Sequence, residues 1–293
     1  MTLKSTFSGT YTAPDSTFGR GTFTASNGDA FVYYMVNSGF VKFLEIDDNF
    51  VAVGPAYTQG SSFSTGTTYA FTSGGIDLNG NDFVMGALFT PSGSSTLSGV
   101  VDVNDASLPL VSNASFTTGS FTAPSGGRAT ITFPPTVTGT GGNPGPSLFA
   151  VYPTAGQGLL ALDIDSGAAF TATGGAFAQS SPAFSGTYAL IFSGPATVDA
   201  DDAVGEVTAD PANSPELQPG TVDLNNGGIT SPGLPLTGTY TTNGNGRYAG
   251  SLTLGSTSQN EVFYLVNGNT VLCIETAAAA QTAGFFELQN LTP

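Results

Sequence analysis

One segment of this chain occurs three times, and that repetition restricts the fold more than any other property of the sequence. From Leu236 to Gln289 the chain reads Gly238-Thr239-Tyr240-Thr241, then Asn-Gly turns and Gly246-Arg247. Ser251-Leu252-Thr253-Leu254, Val262-Phe263-Tyr264-Leu265-Val266-Asn267, Leu272-Cys273-Ile274-Glu275 and Phe286-Glu287-Leu288-Gln289 follow. Residues 8–59 and 119–179 repeat the plan. In the first copy the alternating apolar segments predict five strands, Ser8–Ala13, Arg20–Ala25, Ala30–Val36, Val41–Asp47 and Val51–Gln59. Ser26-Asn27-Gly28-Asp29 and Asn37-Ser38-Gly39 between them have the chemistry of hairpin turns.

A second, shorter block alternates with the first. Residues 66–105 carry Gly66-Thr67-Thr68-Tyr69, Phe83–Thr90 and Gly99-Val100-Val101-Asp102-Val103-Asn104. Residues 186–225 carry Gly186-Thr187-Tyr188, Ala203–Ala209 and Gly220-Thr221-Val222-Asp223-Leu224-Asn225. Each reads as three strands, so the order is five, three, five, three, five, or about 21 strands in an all-β, antiparallel chain. Gln59, Gln179 and Gln289 close the long blocks at nearly constant spacing. Three strands plus five make eight, the number of a small closed meander barrel; a two-sheet sandwich is the alternative. The organisation expected is a five-stranded half unit in 1–60 and barrel or sandwich units in 61–180 and 181–293. One terminal block, 5–59 or 236–289, is then left unpaired. The Gly/Pro-rich insertion Pro134–Pro146 is expected as an exposed loop.

Only 9% of the 293 residues are charged, and the net charge is -16 from 21 acids and 5 bases. That balance repels phosphate backbones and anionic membrane surfaces, which excludes nucleic acid as an expected partner. No apolar run reaches the ~18 residues of a membrane span. No signal peptide is read at the N-terminus, so the chain is expected to be cytosolic or a form lacking its leader. A surface of Ser, Thr, Asn and Gly with little Lys favours the second, in an extracellular or cell-surface setting. Cys273, the single cysteine, cannot form an intrachain disulfide and is expected to be a small core side chain.

The succession of Gly-x-Tyr, Gly-x-x-Asp-x-Asn, Gly-x-Tyr, Gly-Arg, a Tyr-bearing strand, an acidic strand and a closing Gln resembles the tandem β-repeat units of large exported bacterial proteins of uncharacterised function. The resemblance covers nearly the whole chain, with Phe121 replacing the Tyr of the second copy. It implies architecture and export, and no mechanism.

The sequence contains no histidine. That removes the usual general base near neutral pH and any Ser-His-Asp or Cys-His site. Three of the five bases are the repeated Arg20, Arg128 and Arg247, and two strands later each block places an acid, Glu45, Asp163 and Glu275. These are expected as structural ion pairs or backbone anchors, at equivalent positions and within their own blocks. Glu45 with Asp47 and Asp163 with Asp165 are pairs two residues apart, but Ala277 breaks the pattern in the third copy. A degenerate, repeated pair is a poor glycosidase site, since hydrolysis needs two acids across a cleft. Asp77, Asn79, Asn81 and Asp82 begin like an oxygen-rich calcium loop, without the glycine and closing glutamate of the full motif. Turn formation is the simpler reading, there and for the acidic segment Ala196–Asp202. Calcium is thus the one candidate cofactor. Asp102 with Asn104, and Asp223 with Asn225, read as turn caps. Tyr34, Tyr152 and Tyr264 recur at matching places, as cross-strand packing residues or as a carbohydrate-binding strip. The expectation for function is a non-catalytic extracellular structural or assembly protein, a filament or surface-layer subunit that forms homo-oligomers or polymers head-to-tail through strand edges. The alternative is a barrel module binding a carbohydrate or small apolar ligand.

Overall fold

The structure is a computed structural model that describes residues 8–47, 53–77, 79–138, 145–156, 158–165, 171–180, 183–194, 201–277 and 281–290. Chain contacts divide it into two units, residues 1–61 with 154–156, and residues 62–153 with 157–293.

The first unit is an open antiparallel sheet in chain order, formed by β1 (Gly9–Tyr11), β2 (Arg20–Ala25), β3 (Ala30–Asn37), β4 (Phe40–Glu45) and β5 (Val53–Tyr57). Phe23, Phe31 and Phe43 pack edge-on or tilted on one of its faces, with centroids 6.0–6.2 Å apart. Residues 51 and 52 of the last predicted strand lie outside the described residues.

The second unit holds two closed eight-stranded barrels. Barrel 1 takes β6 (Tyr69–Ile76), β7 (Asp82–Ser92), β8 (Thr96–Asp105), β9 (Val111–Phe121), β10 (Ala129–Thr132), β11 (Leu148–Pro153), β12 (Gly158–Asp163) and β13 (Thr171–Ala178). Barrel 2 takes β14 (Gly186–Ser193), β15 (Asp201–Ala209), β16 (Leu217–Asn226), β17 (Ile229–Thr242), β18 (Arg247–Leu254), β19 (Thr257–Leu265), β20 (Thr270–Glu275) and β21 (Ala283–Leu288). Each is a meander closed by its last strand, β13 on β6 and β21 on β14. Closure satisfies every edge, and it resolves the choice between barrel and sandwich. The block left without three partner strands is the N-terminal one.

Side chains alternate inward and outward along each strand, and the inward sets fill the lumens. In barrel 1, Phe71, Phe83, Phe89, Phe133 and Phe149 are all 0% exposed. Phe133 touches Phe71, Phe89, Phe116 and Phe149 with ring centroids 5.6–6.0 Å apart. Barrel 2 is filled around Phe184, Tyr188, Phe263 and Phe286. An eight-stranded barrel is just wide enough for side chains to occupy its interior.

The insertion departs from the expected exposed loop. Its described part contains a one-turn helix, α1 (Pro135–Thr138), which packs on β8 and β9. Val137 lies against the barrel core, and Thr138, Gly145 and Pro146 are buried. Apolar Pro and Val side chains beside an open barrel end gain more from covering it than from solvent. Residues 139–144 lie outside the described residues.

Candidate functional site

The junction between the two barrels is built from a β-bulge. Where β8 meets β9 the register slips between Val101 and Val103, so that Ser112 and Asn113 of β9 both stand opposite Asp102, a bulge on the β9 side. Asn113, held at φ 52°, donates its backbone N–H to Asp102 Oδ1 at 2.7 Å. The carboxylate points from the outer face of barrel 1 to the outer face of barrel 2. There Arg247 Nε donates to Oδ2 at 2.8 Å and Nη2 to Oδ1 at 2.6 Å, while the Tyr264 hydroxyl donates to Oδ2 at 2.6 Å. Arg247 and Tyr264 face each other across β18 and β19. Asp102 and Tyr264 are 0% exposed and Arg247 2%. Burial alone would lower the Arg247 pKa, but the hydrogen bond and charge of Asp102 outweigh it and hold the guanidinium more firmly charged. Burial, reinforced by the Asp102 charge, pushes the Tyr264 phenol well above its usual range.

Further contacts complete this joint. Asn104 Nδ2 donates to the carbonyls of Glu275 at 3.0 Å and Ala277 at 2.8 Å. Gln179 Nε2 donates to Leu265 O at 2.7 Å, and Ser180 N to Val266 O at 2.8 Å. Ala70, Val84 and Leu88 of barrel 1 form one buried cluster with Val262, Val266, Leu272 and Ile274 of barrel 2. The Tyr264 ring lies over Gly86, where a Cβ would come within 2.3 Å of it. Because Asp102 pins that ring, it cannot swing aside. Gly86→Val is therefore expected to destabilise the protein by about 1–3 kcal/mol through overpacking, read as a lower denaturant midpoint.

The expected pairings of the repeated arginines with acids of their own blocks are corrected by strand parity. Arg20 faces Tyr34, whereas Glu45 faces Phe31, three residues away on β3. Arg247 faces Tyr264, whereas Glu275 faces Glu261. Arg128 precedes the Ala129–Val151 pair and so stands at Tyr152, whereas Asp163 faces Phe149. An odd offset places the two side chains on opposite faces of the sheet and about 10 Å apart along it. The arginines do hold equivalent positions, each beside a tyrosine. The carboxylate that Arg247 binds comes from the other barrel. Arg20 sits instead by Asp15, whose carboxylate accepts the N–H groups of Phe18, Thr17 and Arg20. Backbone anchoring falls to the second acid: Asp47 accepts from Ala30 N at 2.6 Å, and Asp165 from Ser147 N at 2.7 Å.

In the two barrels parity turns the first acids, Asp163 and Glu275, toward the lumen. Glu261 and Glu275 face each other within barrel 2 at 1% exposure each. Thr282 Oγ1 donates to Glu275 Oε2 at 3.0 Å, while neither oxygen of Glu261 has a hydrogen-bond partner. Burial, and then the charge of Glu275, push the Glu261 carboxyl well above its ordinary range. Burial also raises Asp163 to about 6. Cys273, opposite Phe263, is buried in the same lumen, its thiol pushed up by burial and then by Glu261. The register equates Glu261 with Phe31 and Phe149, so a core phenylalanine has become an acid in the third copy. Comparing the copies position by position would have exposed that change.

In the Asp77 loop the carboxylate is occupied by the loop itself. It accepts from the backbone of Asn79 and Asn81 at 2.8 Å, from both amide side chains, and from Ser107 Oγ. Burial opposes ionisation there, but the hydrogen bonds from Asn81 and Asn79 prevail and lower the Asp77 pKa. Among the described residues no cluster of three His, Cys, Asp or Glu is placed to hold a metal. Asp82 opens β7, and most of the Ala196–Asp202 segment lies outside the described residues. The tyrosines do not form a common strip, since Tyr264 is fully buried in the junction while Tyr34 and Tyr152 are 44% and 40% exposed.

The fold and junction define an all-β protein of tandem barrels. No protein family and no curated protein matches the chain. Among solved structures it is similar to kievitone hydratase from Nectria haematococca, at 11% identity, with 76% of this chain and 88% of that one covered and a TM-score of 0.26. A likeness that weak carries no argument about activity.

Proposed function

We propose that this chain is a non-catalytic structural protein of the cell exterior that assembles head-to-tail with further copies. The observation that supports this reading is the open N-terminal sheet. Both of its sister blocks are closed by three further strands, and β1–β5 are not. Such a sheet offers backbone and side-chain surface to another chain. Contacts that join unlike surfaces propagate as open filaments when the rotation does not close. Lumens filled with aromatic side chains favour this reading over ligand storage inside the barrels. The test is deletion of residues 1–60 and, separately, 236–293, followed by negative-stain microscopy and light scattering. Loss of assembly is expected from the first deletion. Full-length protein that stays monomeric at high concentration would refute the reading.

A further inference from the structure

Barrel 2 carries a second copy of the bulge that makes the junction. The β16–β17 register slips between Val222 and Leu224 as β8–β9 does. Gly233, at φ +66°, donates its N–H to Asp223 Oδ1 at 2.6 Å, as Asn113 does to Asp102. Asp223 and Asn225 are therefore posed like Asp102 and Asn104, yet both are exposed. They border an open groove of about 610 Å³ together with Ile191, Asp202 and Val204. On barrel 1 the corresponding surface is covered by barrel 2.

The occupant has to differ from the one that barrel 1 receives. Through the register, Val204 stands where Gly86 seats the Tyr264 ring, Asp202 replaces Val84, and Glu206 replaces Leu88. Two of the three positions of the apolar seat are now acids, and Asp202 lines the groove with Asp223. A matching change occurs in the N-terminal sheet. Its row Arg20–Tyr34–Lys42 corresponds to Arg247–Tyr264–Leu272, with lysine in place of leucine. Arg20 and Lys42 are exposed and Tyr34 is 44% exposed. In a chain with five bases, this row sets two of them on one face. The exposed edges are less suited to strand pairing, because β1 has three residues and β5 contains Pro55, which lacks an N–H donor.

We infer that the acidic groove around Asp223 on barrel 2 docks the Arg20–Tyr34–Lys42 row of a second copy of this chain. The inference rests on the assembly reading above and names the surfaces. The contact is ionic and exposed, so it is weak and salt-sensitive, in contrast to the buried internal junction.

Sedimentation velocity of the full chain over a concentration series tests this. Asp223→Arg is expected to weaken self-association about tenfold, a typical effect of reversing one interfacial charge. Arg20→Asp with Lys42→Asp should do the same, and mixing the two reversed proteins should restore association, a rescue that general misfolding cannot produce. Raising the salt from low to high should dissociate the wild type. Wild-type-like assembly by both reversed proteins, with loss on deleting residues 1–60, would overturn the inference in favour of edge addition while leaving the assembly reading intact. Monomeric wild type at every concentration and salt would overturn both.

Discussion

Replacing Asp102 with alanine is expected to destabilise the two-barrel unit by about 3–5 kcal/mol, the cost of stranding a buried charge without its partner. The substitution removes the acceptor for Arg247 Nε, Arg247 Nη2 and the Tyr264 hydroxyl together. No water can substitute easily, because Asp102 is 0% and Arg247 2% exposed. Chemical denaturation with two probes, one in each barrel, measures the loss. In the wild type the two transitions should coincide; in the variant they should separate, because the joint couples the barrels. Asp102→Leu combined with Arg247→Met should recover most of the stability, since an apolar pair of similar volume is often no worse than a buried ion pair. If the single substitution costs under about 1 kcal/mol, within the range of an exposed pair, the junction does not bear the load assigned to it.

Glu261→Gln is expected to stabilise the protein at neutral pH, because the amide carries no charge for the lumen to resist. The group's folded pKa lies above its unfolded value. Below the ordinary glutamate range both states are protonated and the full stability is present. As pH rises above that range the unfolded chain ionises while the folded lumen resists, so stability falls. The variant should therefore match the wild type near pH 4 and exceed it increasingly at higher pH. Glu275 and Cys273 face the same lumen, and Glu275 keeps its hydrogen bond from Thr282, so Glu275→Gln should gain less. Asp163, raised to about 6, adds a contribution of the same sign in barrel 1, present below the ordinary aspartate range and lost as pH rises through 6. Asp77 acts oppositely, its contribution lost at low pH. The difference between wild type and Glu261→Gln isolates the lumen acid from both. A variant less stable than wild type across the whole pH range would contradict the buried, unpartnered state of Glu261.

The strand plan was readable because Gly-Tyr starts, Asn-Gly turns and closing glutamines are local signals, and each copy confirmed the others. Counting strands in threes and fives led to eight-strand closure and to an unmatched block. The expected ion pairs follow sequence spacing alone, whereas the pleat sends Arg247 outward and Glu275 inward. Asp102 read as a turn cap because its partners lie 145 and 162 residues away, and nothing local indicates a contact of that range. The bulge that aims it depends on the register of two strands, which residue types alone do not specify.

The same long-range joint sets an order of events during synthesis. All eight strands of barrel 1 leave the ribosome by Ala178, but Arg247, Tyr264, Leu272 and Ile274 emerge much later. Over that interval a nascent barrel with a complete hydrogen-bonded ladder presents Ala70, Val84, Leu88 and Asp102 to water. Chaperones that recognise apolar surface, or a neighbouring nascent chain with a finished second barrel, can reach that face before its own partner does. Exchange of second barrels between chains on one polysome is therefore open to this architecture, and slow translation between residues 180 and 247 would lengthen the time available for it.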